Sequence, residues 1–258
     1  MAARAWQAAA SEGDILFFQN TEQTQIKKMK DEDNRTPVHY AATATTQNAQ
    51  EVIRSMCARI GTRNALLTAD EAGWTPLHVA SSAGRVENVG VMLAFILEEK
   101  DDTDIAEEIL LARTDNGGIP LHYAASKGHE LVIDKLLGAG DAQCVKQLKA
   151  KDNRGDTALH RACAAGRLAA AKTLIDAATR LDASPAAALN AKNATGATPL
   201  ILALGSGHGR VALMLAARGA DPEDIPEDMQ KESIGTDMMG LLRRAAAGEL
   251  DDDFSGAA

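Results

Sequence analysis

Thr36-Pro37-Val38-His39-Tyr40-Ala41-Ala42 is the first of five versions of one phrase. It returns as TPLHVAS from Thr75, IPLHYAA from Ile119, TALHRAC from Thr157 and TPLILAL from Thr198. The phrases begin 39, 44, 38 and 41 residues apart. Self-similarity at such a period marks a stack of repeats, each of which buries its apolar face against its neighbours. Thr opens a helix, and Pro follows where the helix would leave an N–H unpaired anyway. The apolar residue, His and Ala then set the helix against its neighbours, Ala allowing close approach.

The rest of each unit follows outward from the phrase. Two residues upstream stands Gly73, Gly117, Gly155 or Gly196, with Asn34 in the first unit. Gly or Asn suits a positive φ, so these segments are expected to be hairpin-like fingers. Downstream, Gly84, Gly128, Gly166 and Gly207 separate the first helix from an outer helix of 3.6-residue period, as in Val89, Leu93 and Leu97. Leu-rich segments at 65–67, 109–111, 145–148 and 188–189 then predict a short extra helical turn under each outer helix.

Phrase, finger and paired helices resemble the ankyrin repeat, whose standard unit is about 33 residues. Every unit here therefore carries an insertion. The expected fold is all-α, an ankyrin-repeat solenoid of about seven stacked units forming one domain over residues 1–248. Its parts are a cap over 1–30, repeats over 31–69, 70–113, 114–151, 152–192 and 193–221, and a C-terminal cap over 222–248. The caps shield apolar faces that an internal repeat would expose. Helices are expected from Ala5 to Asp14, through Phe17 and Phe18, and from Met238 to Ala247, with an acidic disordered tail over 249–258.

Composition agrees with thin helical layers: 45% of the 258 residues are hydrophobic but only 3% aromatic. The net charge of −9 argues against nucleic acid and anionic membrane as partners. Cys57, Cys144 and Cys163 form no C-x-x-C pair, which fits a reducing compartment. Neither a standard signal sequence nor a spanning apolar stretch is read. His39, His78, His122 and His160 recur with the repeat, so they cannot converge on one metal ion and read as bridges from finger to helix. His129 and His208 read as turn residues. Gly205-Ser206-Gly207-His208-Gly209 lacks a P-loop or dinucleotide-binding context and reads as a turn. The acidic cluster Glu98, Glu99, Asp101, Asp102, Asp104, Glu107 and Glu108 lacks calcium-loop spacing and reads as a solvated edge. No catalytic residue, metal or cofactor is expected; the chain is not read as an enzyme.

A partner protein is expected on a concave surface made by the finger tips and the exposed ends of the inner helices. The candidate residues are Asp33, Arg35 and Tyr40; Glu71, Trp74 and Ser82; Asn116 and Lys127; and Arg154, Asp156 and Arg161. Trp74, at a finger tip, is the strongest, because Trp is enriched among interface hot spots. Beyond Thr195 these slots hold only Ala, Gly and Ser.

Four longer stretches, DEAGWTPLHVASSAGRVENV from Asp70, PLHYAASKGHELV from Pro120, DTALHRACAAG from Asp156 and TPLILALGSGHG from Thr198, resemble the gankyrin family in order and register. That family consists of assembly chaperones for the proteasome regulatory particle. The resemblance implies a cytoplasmic and also nuclear monomer that clasps the helical C-terminal domain of a base ATPase subunit. It further implies that Arg35 and Lys127 meet acidic residues of that ATPase. The insertions and the acidic tail depart from the family pattern. An ankyrin adaptor or inhibitor for a kinase, a transcription factor or a host protein is the competing reading.

Overall fold

The computed structural model describes residues 2–98, 104–181, 185–230 and 235–250, and the regular elements among them are all helical. They gather into two compact units, Met1–Ala124 with Leu131–Gln147, and Ala125–Glu130 with Leu148–Ala258.

The first unit begins with three cap helices, α1 (Ala2–Glu12), α2 (Ile15–Gln19) and α3 (Gln23–Ile26). The next repeats each add an inner, an outer and a short third helix: α4 (Pro37–Thr43), α5 (Gln47–Ile60) and α6 (Thr62–Leu66), then α7 (Pro76–Ser82), α8 (Val86–Glu98) and α9 (Ile105–Leu110). A third set comprises α10 (Pro120–Lys127), α11 (Glu130–Leu137) and α12 (Asp141–Lys149). The second unit holds α13 (Ala158–Ala164), α14 (Leu168–Arg180) and α15 (Pro185–Leu189), then α16 (Pro199–Gly205) and α17 (Gly209–Ala217). It closes with a 3-10 turn at Pro222–Asp224, α18 (Glu227–Met229) and α19 (Gly235–Ala246).

Inner helices pack on inner helices and outer on outer: α4 on α7 and α5 on α8, and in the second unit α13 on α16 and α14 on α17. Ala41, Ala42, Ala80 and Ala124 are fully buried at these inner layers, as are Leu77 and Leu121. Each buried Leu contributes roughly 1.5–3 kcal/mol of apolar transfer. The terminal helix α19 covers α17 and buries Met239, Leu242 and Ala245 at helical spacing. It begins at Gly235, three residues before the start read from sequence.

The segments expected as extra turns are the helices α6, α9, α12 and α15. In the first unit they are tied in series by charge: Arg63 on α6 pairs with Glu108 on α9, and Glu107 on α9 pairs with Lys146 on α12. Two members of the acidic cluster are thus cross-braces between insertions. Glu98 is exposed, and Glu99, Asp101 and Asp102 lie outside the described residues, as does the tail over 251–258.

The repeated His joins successive repeats. The Thr36 N–H donates to Nδ1 of His39 at 3.1 Å, so Nδ1 is the acceptor and Nε2 carries the proton. Nε2 donates to the Trp74 carbonyl of the next finger, 2.9 Å away. His78 does the same between Thr75 and the Gly118 carbonyl at 3.1 Å, and His160 between Thr157 and the Ala197 carbonyl at 3.2 Å. At His122 the N–H donor is Ile119, which brings no hydroxyl. Burial lowers the pKa of His39 and His160 and takes His78 down to about 4, against the partial support of the Gly118 carbonyl.

Each finger turns through a positive φ, at Asn34 and at Gly73, Gly117, Gly155 and Gly196. At Gly155 an added Cβ would lie 2.6 Å from the Ala194 nitrogen, whereas at Gly196 it would meet open space. Gly155→Ala is therefore expected to cost well over the roughly 1–2 kcal/mol that a left-handed residue costs by itself, and Gly196→Ala about that amount. Urea unfolding of the two variants checks the ranking.

The histidines also set a pH dependence. Unfolding releases His78 to its ordinary value of 6.5, so the unfolded chain binds more protons than the folded one between about 4 and 6.5. Stability is complete above that window and falls as the pH drops through it. His78 alone is expected to remove about 2 kcal/mol between pH 7.5 and pH 5. Urea unfolding at the two pH values measures it, and a flat profile contradicts the account.

Candidate functional site

The fingers are built on a side chain that the sequence reading did not single out. Asp31 Oδ1 accepts the N–H of Asp33 at 3.0 Å and of Arg35 at 2.7 Å. Asp70 Oδ1 accepts those of Ala72 at 3.0 Å and Trp74 at 2.9 Å. Asp152 does this for Arg154 and Asp156, and Asn193 for Thr195 and Ala197. A carboxylate or amide three residues before the positive-φ residue closes the turn by caging two amides, an Asx-type arrangement. The spacing Asp-x-x-Gly, seen in 70–73 and 152–155, is the signal that could have revealed it. Neighbouring fingers are joined by backbone bonds, Glu71 N–H to the Asp33 carbonyl at 2.9 Å and Asp115 N–H to the Ala72 carbonyl at 3.1 Å. In the second unit, Ala194 N–H bonds the Arg154 carbonyl at 2.9 Å.

These carboxylates engage several of the candidate binding residues through their second oxygen. Tyr40 donates its hydroxyl to Asp31 Oδ2 at 2.6 Å, accepts from Gln7 at 3.1 Å and meets Trp6 edge to face at 5.5 Å. Burial, with its bond to the Asp31 carboxylate acting in the same direction, raises the pKa of the Tyr40 hydroxyl to about 12. Burial would lift Asp31, but the Tyr40 hydroxyl and the two amides outweigh it and hold its carboxyl below the usual range. Arg35 Nε donates to Asp70 Oδ2 at 3.3 Å; the Arg side chain is 47% exposed and the Asp 3%. Arg161 grips Asp152 through Nε, at 2.7 Å, and through a terminal nitrogen. Asp152 is likewise held low: burial raises it, and Arg161 with the finger amides prevails.

Asp33, Glu71 and Asn116 stand exposed on the first unit's fingers. Ser82 is half-buried at the end of α7. Trp74, also half-buried, packs against Tyr123 with ring centroids 4.3 Å apart and lies 6.1 Å from the His78 ring. Its indole therefore packs on helix α10 of the next repeat. Tyr123 escaped the sequence reading, although the His-Tyr dipeptides at 39–40 and 122–123 place it in register with Tyr40. In the second unit, Lys127 is exposed in the last turn of α10 and Arg154 is exposed beside Asp156, 3.0 Å away. Asp156 is 2% exposed and also accepts from Asn193 at 2.8 Å. Arg161 Nε lies 3.8 Å from its other oxygen.

Among the described residues no three His, Cys, Asp or Glu side chains are placed to hold a metal ion, and no helix is long and apolar enough to cross a membrane. All three cysteines are buried, and burial pushes the Cys163 thiol far up. In Gly205-Ser206-Gly207-His208-Gly209 the middle three residues form the turn between α16, which ends at Gly205, and α17, which begins at Gly209. A family pattern described as ankyrin repeats, three copies, matches residues 6–105, 91–185 and 121–225. The chain belongs to the ankyrin-repeat family. Members of this family serve typically as protein-binding scaffolds, not enzymes, and the fingers present hydrogen-bonding and charged side chains. The chain is similar to a probable 26S proteasome regulatory subunit, p28, of Saccharomyces cerevisiae, 28% identical over 77% of each chain. It is 38% identical to the 26S proteasome non-ATPase regulatory subunit 10 of Dictyostelium discoideum over 26% of each chain. With the human transient receptor potential cation channel subfamily A member 1 it shares 31% identity over 59% of this chain and 12% of the channel.

The ties within the fingers separate residues that can be changed without harm from those that cannot. Arg161→Ala leaves the buried Asp152 carboxylate unpaired and is expected to cost on the order of 3 kcal/mol. Lys127→Ala, exposed at a helix end, is expected to cost less than about 0.5 kcal/mol. Equilibrium unfolding distinguishes them, and equal costs contradict this division.

Proposed function

We propose that the chain is an assembly chaperone of the proteasome regulatory particle that binds the C-terminal domain of one base ATPase through its fingers and inner-helix ends. One observation carries the reading: the match to p28 runs through most of both chains, whereas the match to the channel occupies a small part of a much longer protein. The family resemblance gives Arg35 and Lys127 as the cations that meet acidic residues of the ATPase. Arg35 engages Asp70 through Nε, which leaves its two terminal amino groups for a partner carboxylate. Lys127 projects from the last turn of α10. Asp33, Glu71, Trp74 and Asn116 in the first unit and, separately, Arg154 in the second are further contacts of this reading; opposite charges steer orientation and encounter. On this reading the chain works in the cytoplasm and nucleus without a cofactor.

The second reading, an adaptor or inhibitor for an unrelated protein, is favoured by the 31% identity with the channel, which exceeds that with p28. Calorimetric titration of the chain with the purified C-terminal domain of each base ATPase separates the two. One domain is expected to bind, and Lys127→Glu to weaken it by about tenfold or more with unchanged melting temperature. No binding by any of the domains, or equal binding by the variant, contradicts the proposal and favours the adaptor. Arg35→Glu is a poorer probe, because it sets a second carboxylate against buried Asp70.

A further inference from the structure

We propose that two copies of this chain associate through the outer-helix face of the first unit, away from the fingers. Helices α8 and α11 border a groove of about 570 Å³. Its walls carry two large exposed apolar side chains, Leu97 in the last turn of α8 at 52% and Leu131 in the first turn of α11 at 65%. Its floor is small: Gly90 and Ala94 on one side, Gly138 and Ala139 on the other.

Gly90 is the telling residue. It lies inside a 13-residue helix with no positive φ, and a Cβ built on it meets nothing within 4 Å. Neither backbone geometry nor packing within the chain requires glycine there, and glycine is among the poorest helix formers. Its effect is to deepen the groove, so that another surface can reach the α8 backbone. Groups kept open at a helix surface accept a bulky side chain from a facing helix as a hole accepts a knob.

A second copy fits better than an unrelated chain because the patch is complementary to itself. It holds both knobs, Leu97 and Leu131, and holes of matching character, so a two-fold axis can seat each copy's leucines over the other's glycine and alanine floor. The rim also carries both signs of charge, with Glu87 and Asp134 exposed alongside Lys135. In an isologous contact one acidic group of each copy can face the lysine of the other. The patch is small for a permanent dimer, so the association is of the weak, concentration-dependent class. It departs from the monomer that the family resemblance implies and leaves the finger surface of each copy open.

Sedimentation equilibrium of the full chain, from about 5 to about 200 µM, tests this. The expected weight-average mass rises from 27.1 kDa toward twice that value. Leu131→Asp and Gly90→Leu, the one removing a knob and the other filling the hole, are each expected to weaken the dimer by at least about tenfold. Circular dichroism is expected to be unchanged in both, since the two positions face open space. A mass of 27.1 kDa throughout the range overturns the proposal, as does a dimer that both variants leave intact.

Discussion

A neutral imidazole that accepts from the backbone of its own helix and donates to the carbonyl of the next finger is the constraint on which the repeats depend. The ring has one acceptor and one donor only while uncharged, and His39, His78 and His160 use both. Because each bond crosses from one repeat to its successor, the spacing of inner helices and the placement of fingers are set together. The alanines of the inner layers supply close contact but little direction; the imidazole supplies direction. Burial that favours the neutral ring and hydrogen bonds that need it therefore act in the same sense.

The fingers repeat this logic on a smaller scale. One carboxylate oxygen closes the turn on two amides, and the other takes a cation or hydroxyl, from the same repeat for Asp31 with Tyr40 and Asp152 with Arg161 and from the preceding repeat for Asp70 with Arg35. A binding surface built this way is preorganised, because its side chains are fixed by the bonds that fix the backbone. In the proposed function, recognition and stability are coupled at those positions and separate at Asp33, Glu71, Asn116 and Lys127. A partner that competes for Arg35 must meet the cation without stripping Asp70, which confines it to the terminal amino groups.

Much of this was legible in the sequence. The phrase at Thr36, Thr75, Ile119, Thr157 and Thr198 located the inner helices, because Pro after a capping residue and an apolar stripe at helical period leave few alternatives. Asn34 and the four finger glycines were readable from their fixed offset, and φ is positive at all of them. Even the insertions resolved into helices α6, α9, α12 and α15 from their leucines. What could not be read was pairing between repeats. Arg35 and Asp70 are 35 residues apart, and Trp74 reaches Tyr123 across 49, so whether a finger residue faces solvent or a neighbour depends on how one repeat stands on the next. Asp156 occupies a surface-type slot by position and is buried by its neighbours Arg154 and Asn193.

In the proposed function the fingers, and not the outer helices, receive the ATPase domain. Hydrogen–deuterium exchange of the chain with and without the C-terminal domain of a base ATPase tests it most directly. Slowed exchange confined to the finger segments around 31–35, 70–74, 114–118 and 152–156 and to the ends of the inner helices is the result the account predicts. Slowing confined to the outer helices α5, α8 and α14, with the finger amides unchanged, would contradict it.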